Sequence, residues 1–181
     1  MNKANSRRMG YVITNTRDSD AWFTPLKYIE SVRKVLGTID LDPFSSKESN
    51  RTVMASTYYT ATQDSLSFTW DKVRTCFANP PYSRGLLQKC ITKIIQEIAS
   101  GNIEDCIVLV NASTDTKWFH LLLSNSSAMC LTLGRISFEN VDGKNISGNT
   151  KGQCFFLLSK NADIIKSFCT EFKKYGESII L

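Results

Sequence analysis

Val73-Arg74-Thr75-Cys76-Phe77-Ala78 runs straight into Asn79-Pro80-Pro81-Tyr82, and Arg84-Gly85-Leu86 then opens a strongly periodic segment. An apolar run ending this way reads as a buried strand that stops at a stiff turn and hands over to a helix. Consecutive prolines remove backbone donors and fix their φ angles, so the carbonyls here point in set directions. Asn79 precedes a proline and is itself forced towards extended geometry. A rigid amide beside a rigid ring suits a flat, amide-bearing substrate. Taken alone, the four residues read equally well as such a site and as an ordinary strand-to-helix turn.

Downstream, Leu86, Leu87, Cys90, Ile91, Ile94, Ile95 and Ile98 recur at helical spacing until Gly101, which predicts an amphipathic helix. The continuous apolar run from Glu104 to Asn111 predicts a strand covered on both faces. Residues 115–124 predict a further helix, on which His120 reads as a surface or half-buried ring rather than a base. Strands are expected at 127–133, 135–139 and 153–159, with an exposed Gly-, Asn- and Ser-rich loop at 141–152. An amphipathic helix at 163–175 and a short strand at 179–181 end the chain.

Upstream, residues 1–20 are polar and basic and read as a flexible arm; Arg7, Arg8 and Arg17 there are either phosphate contacts or solvated charges. The remainder, 21–181, reads as one domain. In Trp22-Phe23-Thr24-Pro25, Thr24 suits a helix cap and Pro25 the first helical position, with Ile29, Val32, Val35 and Leu36 on one face and Gly37 as the stop. Such a helix N-terminus either receives a carboxylate or is simply well capped. Thr38 to Asp42 alternates and breaks at Asp42-Pro43, a short strand placing Asp40 and Asp42 on one face and carrying Asp42 into a turn. That turn is a plain connection or, at the edge of an open α/β sheet, a ligand contact. Residues 47–63 give weak structural signals, and Asp64 either caps a turn or accepts from a ligand amine. The alternation of strand and helix, followed by strand pairs, predicts an α/β fold with a mainly parallel mixed sheet flanked by helices.

The 181 residues suffice for a substantial core. With 42% hydrophobic and 22% charged residues, the composition is that of a soluble globular protein. No apolar run is long enough for a membrane span or shaped like a signal peptide, so an intracellular, cytoplasmic location is expected. Six dispersed cysteines and one histidine read as reduced core thiols with no metal site. A net charge of +5 leans towards an anionic partner.

Phe23-Thr24-Pro25, Asp42-Pro43-Phe44, Asp64 and Asn79-Pro80-Pro81-Tyr82 occur in an order that resembles the amino-group DNA methyltransferases. More closely, the Trp22-to-Pro25 start, Asp40-Leu41-Asp42-Pro43, the Asn-Pro-Pro-Tyr motif, Thr114-Asp115-Thr116-Lys117-Trp118-Phe119 and Gly134-Arg135-Ile136-Ser137-Phe138 resemble the phage-encoded DNA N6-adenine methyltransferases of the Dam type. The likeness spans roughly residues 20–160.

This resemblance implies a Rossmann-like class I methyltransferase fold and S-adenosylmethionine as cofactor. It implies that Trp22, Phe23, Thr24 and Pro25 help hold that cofactor, that Asp40, Asp42 and Pro43 lie near its methionine part, and that Asp64 faces its adenosine amine. Asn79 and Pro80 would accept from the target amino group, next to Pro81, and Tyr82 would stack on an adenine flipped out of double-stranded DNA. The usual glycine-rich loop is replaced by Phe44-Ser45-Ser46, and no separate target-recognition domain has room, so sequence preference falls to short insertions, the 141–152 loop or a second subunit. A monomer and a homodimer fit the sequence equally. The same motif also serves RNA and protein-glutamine methylation, and an inactive methyltransferase fold retained as a nucleic-acid-binding subunit is a further alternative. Protection of phage DNA from host restriction is the role the resemblance suggests.

Overall fold

The computed structural model describes residues 22–83, 85–139, 144 and 149–181. The basic arm at 1–20 and most of the 141–152 loop lie outside the described residues. The helices are α1 (Leu26–Leu36), α2 (Asn50–Val53), α3 (Leu86–Ala99), α4 (Lys117–Ser124) and α5 (Ala162–Phe172). The strands are β1 (Leu41–Ser45), β2 (Thr57–Thr60), β3 (Val73–Ala78), β4 (Ile103–Asn111), β5 (Ala128–Thr132), β6 (Gln153–Leu158) and β7 (Gly176–Ile180). They form one sheet in the order β2-β1-β3-β4-β6-β5-β7. The pairs from β2 to β4 are parallel and the pairs from β4 to β7 antiparallel.

Burial on both faces follows from the two-residue period of the central strands. Along β4, Ile107 and Leu109 face α1 and α5, where they meet Ile29, Val32, Phe77, Phe155 and Phe168. Cys106, Val108 and Val110 face the other way, onto Leu87, Ile91, Ile94, Phe119 and Phe156 beneath α3 and α4. The expected α/β architecture is therefore present, with helices on both sides of a mixed sheet. No helix among the described residues is long and apolar enough to cross a membrane.

The chain steps from β1 outward to β2, then crosses back over β1 to β3. That reversal leaves a crevice at the C-terminal ends of β1 and β3, where ligands of open α/β sheets bind.

Four local expectations give way to other structure. β1 does not break at Asp42-Pro43 but continues to Ser45, with its register against β2 shifting between Asp42 and Ser45. Pro43 has no N–H to give the ladder, so the strand bulges there instead of ending. β2 forms within a stretch that carries few signals. Residues 135–139 do not form a strand, because β6 and β7 already occupy both sides of β5. Ile136 instead donates its N–H to the Gln153 side chain and accepts from Asn149, leaving only an isolated bridge between Phe23 and Glu139. Finally, Thr24 does not cap α1: Pro25 stands at the cap position, with no side-chain capping bond.

Candidate active site

The crevice between β1 and β3 opens into a cavity of about 540 Å³, within the range of small-molecule sites. Trp22, Phe23, Thr24, Asp42, Pro43, Asp64, Asn79, Pro80, Pro81 and Tyr82, all singled out from the sequence, line it together. Pro25 and Asp40 are not among the lining residues. Asp40 is engaged elsewhere, accepting from the Thr38 hydroxyl at 2.9 Å and from the backbone N–H groups of Arg74 and Thr75 at 3.2 and 3.1 Å. Burial alone would raise its pKa, but these hydrogen bonds hold the carboxyl below its usual range. Its work is to pin the start of β3 beside β1.

Asp42 is in the opposite situation. It is 3% exposed, accepts only weakly from the Phe44 N–H at 3.3 Å, and has no ion-pair partner among the described residues. Burial pushes its pKa up to about 6, against the opposing hydrogen bonds of Ser45 and Phe44. A buried carboxylate without a counter-charge is energetically costly until a cation arrives.

The 60–66 segment is strapped across β1 by side chains. Ser65 donates to the Pro43 carbonyl at 2.7 Å, and the buried Trp70 indole donates to the Ser65 carbonyl at 2.7 Å. Asp64 takes a left-handed conformation, φ 47°, at this corner of the cavity. Its carbonyl accepts from Ser67, while no hydrogen bond from a described residue reaches its carboxylate.

At the end of β3 the Asn79 amide is held at both ends. Its Nδ2 donates to the Trp22 carbonyl at 3.3 Å and to the Thr24 hydroxyl at 3.2 Å. Its Oδ1 accepts from the Tyr82 hydroxyl at 3.1 Å, and that hydroxyl also lies 3.3 Å from the Leu109 carbonyl. Burial raises the Tyr82 pKa far above the ordinary phenol range, so it remains a neutral donor. Its ring is half-buried, packing against the α3–α4 side of the core and lining the cavity.

The sequence model of the DNA N-6-adenine-methyltransferase (Dam) family matches residues 12–176. This chain belongs to that family. A DNA N-6-adenine-methyltransferase of Escherichia phage T1 is 29% identical over 166 aligned residues, covering 82% of this chain and 67% of that protein. Among solved structures, the METTL16 methyltransferase domain superposes with a TM-score of 0.42 at 10% identity. That match covers 74% of this chain and 66% of the other, just under two thirds, and is a likeness of outline only. Membership of the Dam family makes the chain an adenine-specific DNA methyltransferase and implies use of S-adenosylmethionine.

In this Dam-family methyltransferase the cavity also takes in residues to which the sequence reading gave no site role: Phe44 to Ser49, Thr60 to Thr62, Ser65, Leu66, Phe77, Leu86 and Cys90. Phe44 meets Trp70 edge-on, with ring centroids 5.9 Å apart. The signal for Thr60 to Thr62 was the β-prone Thr57-Tyr58-Tyr59-Thr60 run. Cys90 brings to the cavity wall a thiol whose thiolate form would compete for a methyl electrophile. Burial pushes its thiol up to about 12, and the thiol form is a poor nucleophile. His120 is exposed on α4 and does not line the cavity.

The Asp42 environment sets an expected pH dependence. The unfolded carboxyl titrates near 3.9, whereas the folded one titrates at about 6, so between these values the folded protein holds the extra proton. The penalty for burying the charge is therefore complete above pH 6 and is relieved as pH falls towards 4. Its upper size is about 3 kcal/mol. Asp42→Asn should raise the stability of the ligand-free enzyme at pH 7 and flatten this part of its pH profile, as read by urea unfolding at pH 4.5, 5.5 and 7. An unchanged profile would remove Asp42 as its source.

Proposed function

We propose that the β1–β3 cavity binds S-adenosylmethionine and delivers its methyl group to N6 of an adenine flipped out of double-stranded DNA. The observation that carries this reading is the fixed Asn79 amide, which lines the cavity together with Tyr82.

The wall fits the cofactor's chemistry. Asp42 supplies a buried negative charge for the ammonium of the methionine part. The nearby Pro43 and Phe44, with Trp22 and Phe23, supply apolar surface around it. Asp64 presents a carboxylate for the adenosine amine. Where glycines usually stand, Phe44, Ser45 and Ser46 line the cavity, beside the register shift that follows Asp42. Bound there, the cofactor supplies an electrophilic sulfonium methyl.

The exocyclic amine of adenine is conjugated with its ring and is a poor nucleophile. Asn79 Oδ1 and the Pro80 carbonyl accept its hydrogens, favouring a pyramidal nitrogen whose lone pair is directed at the methyl. Catalysis is then positioning with electrostatic preorganisation, and no strong base is required. Tyr82 offers the flipped base a stacking surface in place of its lost neighbours.

The reading is tested by incubating the protein with S-adenosylmethionine and unmethylated plasmid DNA, digesting to nucleosides and analysing them by mass spectrometry. RNA and a protein extract serve as parallel acceptors. N6-methyladenine in the DNA is the expected product. Methyl groups confined to RNA or glutamine would overturn the choice of acceptor.

A further inference from the structure

We propose that Thr24 is a positioning residue for methyl transfer: with the Trp22 carbonyl, its hydroxyl fixes the Asn79 amide so that the oxygen faces the target amine. This rests on the acceptor role proposed for Asn79.

The two ends of a carboxamide are nearly the same size but opposite in hydrogen-bonding sense. Rotated by half a turn, Asn79 would present an NH2 to an NH2 and repel its substrate. The orientation therefore needs a reference that cannot reverse. A hydroxyl is no such reference, whether that of Tyr82 or that of Thr24, since it both donates and accepts. The Tyr82 hydroxyl also has an alternative acceptor in the Leu109 carbonyl, 3.3 Å away. That second acceptor allows the hydroxyl to release Oδ1 when the amine arrives.

The Trp22 carbonyl is different. It can only accept, so the Asn79 atom 3.3 Å from it must be the nitrogen. It decides which end is which, and the Thr24 hydroxyl, 3.2 Å from the same nitrogen, gives the amide a second acceptor and so sets its plane. Thr24 is free for this because it is not the cap of α1. It is only 3% exposed, so water does not readily replace its hydroxyl. Trp22 is steadied in turn by its ring against Phe138, centroids 5.4 Å apart, and by the neighbouring Phe23–Glu139 bridge.

Thr24→Val keeps the shape and removes the acceptor; Thr24→Ser keeps the acceptor. Single-turnover methyl transfer should slow roughly 30-fold in Thr24→Val, while calorimetric affinity for S-adenosylmethionine stays within about threefold. Thr24→Ser should restore the rate to within about threefold of wild type. A wild-type rate in the valine variant overturns the inference. So does loss of rate and cofactor affinity in the same proportion, which makes Thr24 a cofactor contact, or a serine variant as slow as valine. A measurement on the wild-type enzyme is independent of how the variants fold. The Asn79 side-chain amide, assigned in 15N spectra by its disappearance in Asn79→Ala, should exchange with water more slowly than exposed asparagine amides; fast exchange overturns the lock. Activity retained in Asn79→Ala would instead overturn the role of Asn79 itself. An inactive Asn79→Ala beside a fully active Thr24→Val would defeat the positioning inference alone.

Discussion

Asn79→Ala is expected to slow the single-turnover methyl-transfer rate by about 10³-fold or more, the scale of removing a preorganised polar group from a reacting centre. S-adenosylmethionine should still bind within a few-fold of wild type. The asymmetry follows from where the side chain sits. On the proposed reading its oxygen accepts from the reacting amine, while the charged groups of the cofactor are met by Asp42 and Asp64, which line the same cavity. The Trp22 to Thr24 segment does lose its bonds to the amide. It retains the Phe23–Glu139 bridge and the contact of Trp22 with Phe138, so the cofactor wall should keep its shape. Rapid-quench transfer assays and calorimetry measure the two quantities separately. Equal losses of rate and affinity would mean that the substrate and cofactor sides have been exchanged.

The elements that position Asn79 are those the sequence declares most clearly. β3 ends where the proline pair begins, and α3 and β4 follow at the expected places, because long apolar runs and a clean 3.6-residue period survive tertiary packing. Asp42 was legible as the end of a short strand but not as a position inside one, since β1 runs on to Ser45. The expectation that a proline ends a strand failed, since a bulge near the sheet edge tolerates it. Asp40 was grouped with Asp42 by its two-residue spacing. Spacing sets which face a side chain occupies, not how far along the strand it lies, and Asp40 sits one full pleat repeat before Asp42, ahead of β1, and does not line the cavity. Thr24 shows the same limit from another side. Its sequence context is that of a cap, and only the approach of β3, more than fifty positions later, gives its hydroxyl to Asn79.

Gln153 was invisible to pattern reading altogether. It is 1% exposed, in a strand that reads as uniformly apolar. Its side chain takes the Ile136 N–H at 2.9 Å and donates to the Lys151 carbonyl at 2.7 Å and to Asn111 at 3.3 Å. A buried amide of this kind needs every end partnered, and two of these partners, Ile136 and Asn111, lie far from it in the chain. It ties the start of β6 to the end of β4 and to the 136–138 segment, whose Phe138 supports Trp22. The part of the cavity lined by Trp22 is thus supported through Gln153 and Phe138.

Tyr82 gives the second large effect, and its two natural variants should separate ring from hydroxyl. Tyr82→Ala should lower kcat/KM for DNA by about 10² at most, given that base–aromatic stacking contributes about 1–3 kcal/mol. Tyr82→Phe keeps the ring and should remain within several-fold of wild type. A small hydroxyl effect is expected because that hydrogen is shared between Asn79 Oδ1 and the Leu109 carbonyl, and the amide orientation is set from Trp22 and Thr24. Because the ring also packs against the α3–α4 core, Tyr82→Ala loses some stability, and a thermal melt sets the temperature for a fair rate comparison. The decisive contrast is a duplex in which the target adenine is mismatched. Such a base is already partly unpaired, so less stacking is needed to hold it out of the helix. The alanine variant should recover a larger share of its activity on that duplex than on the matched one. Equal deficits on both duplexes would assign Tyr82 to orienting the amine rather than to holding the flipped base, and full activity on the matched duplex would remove it from the site.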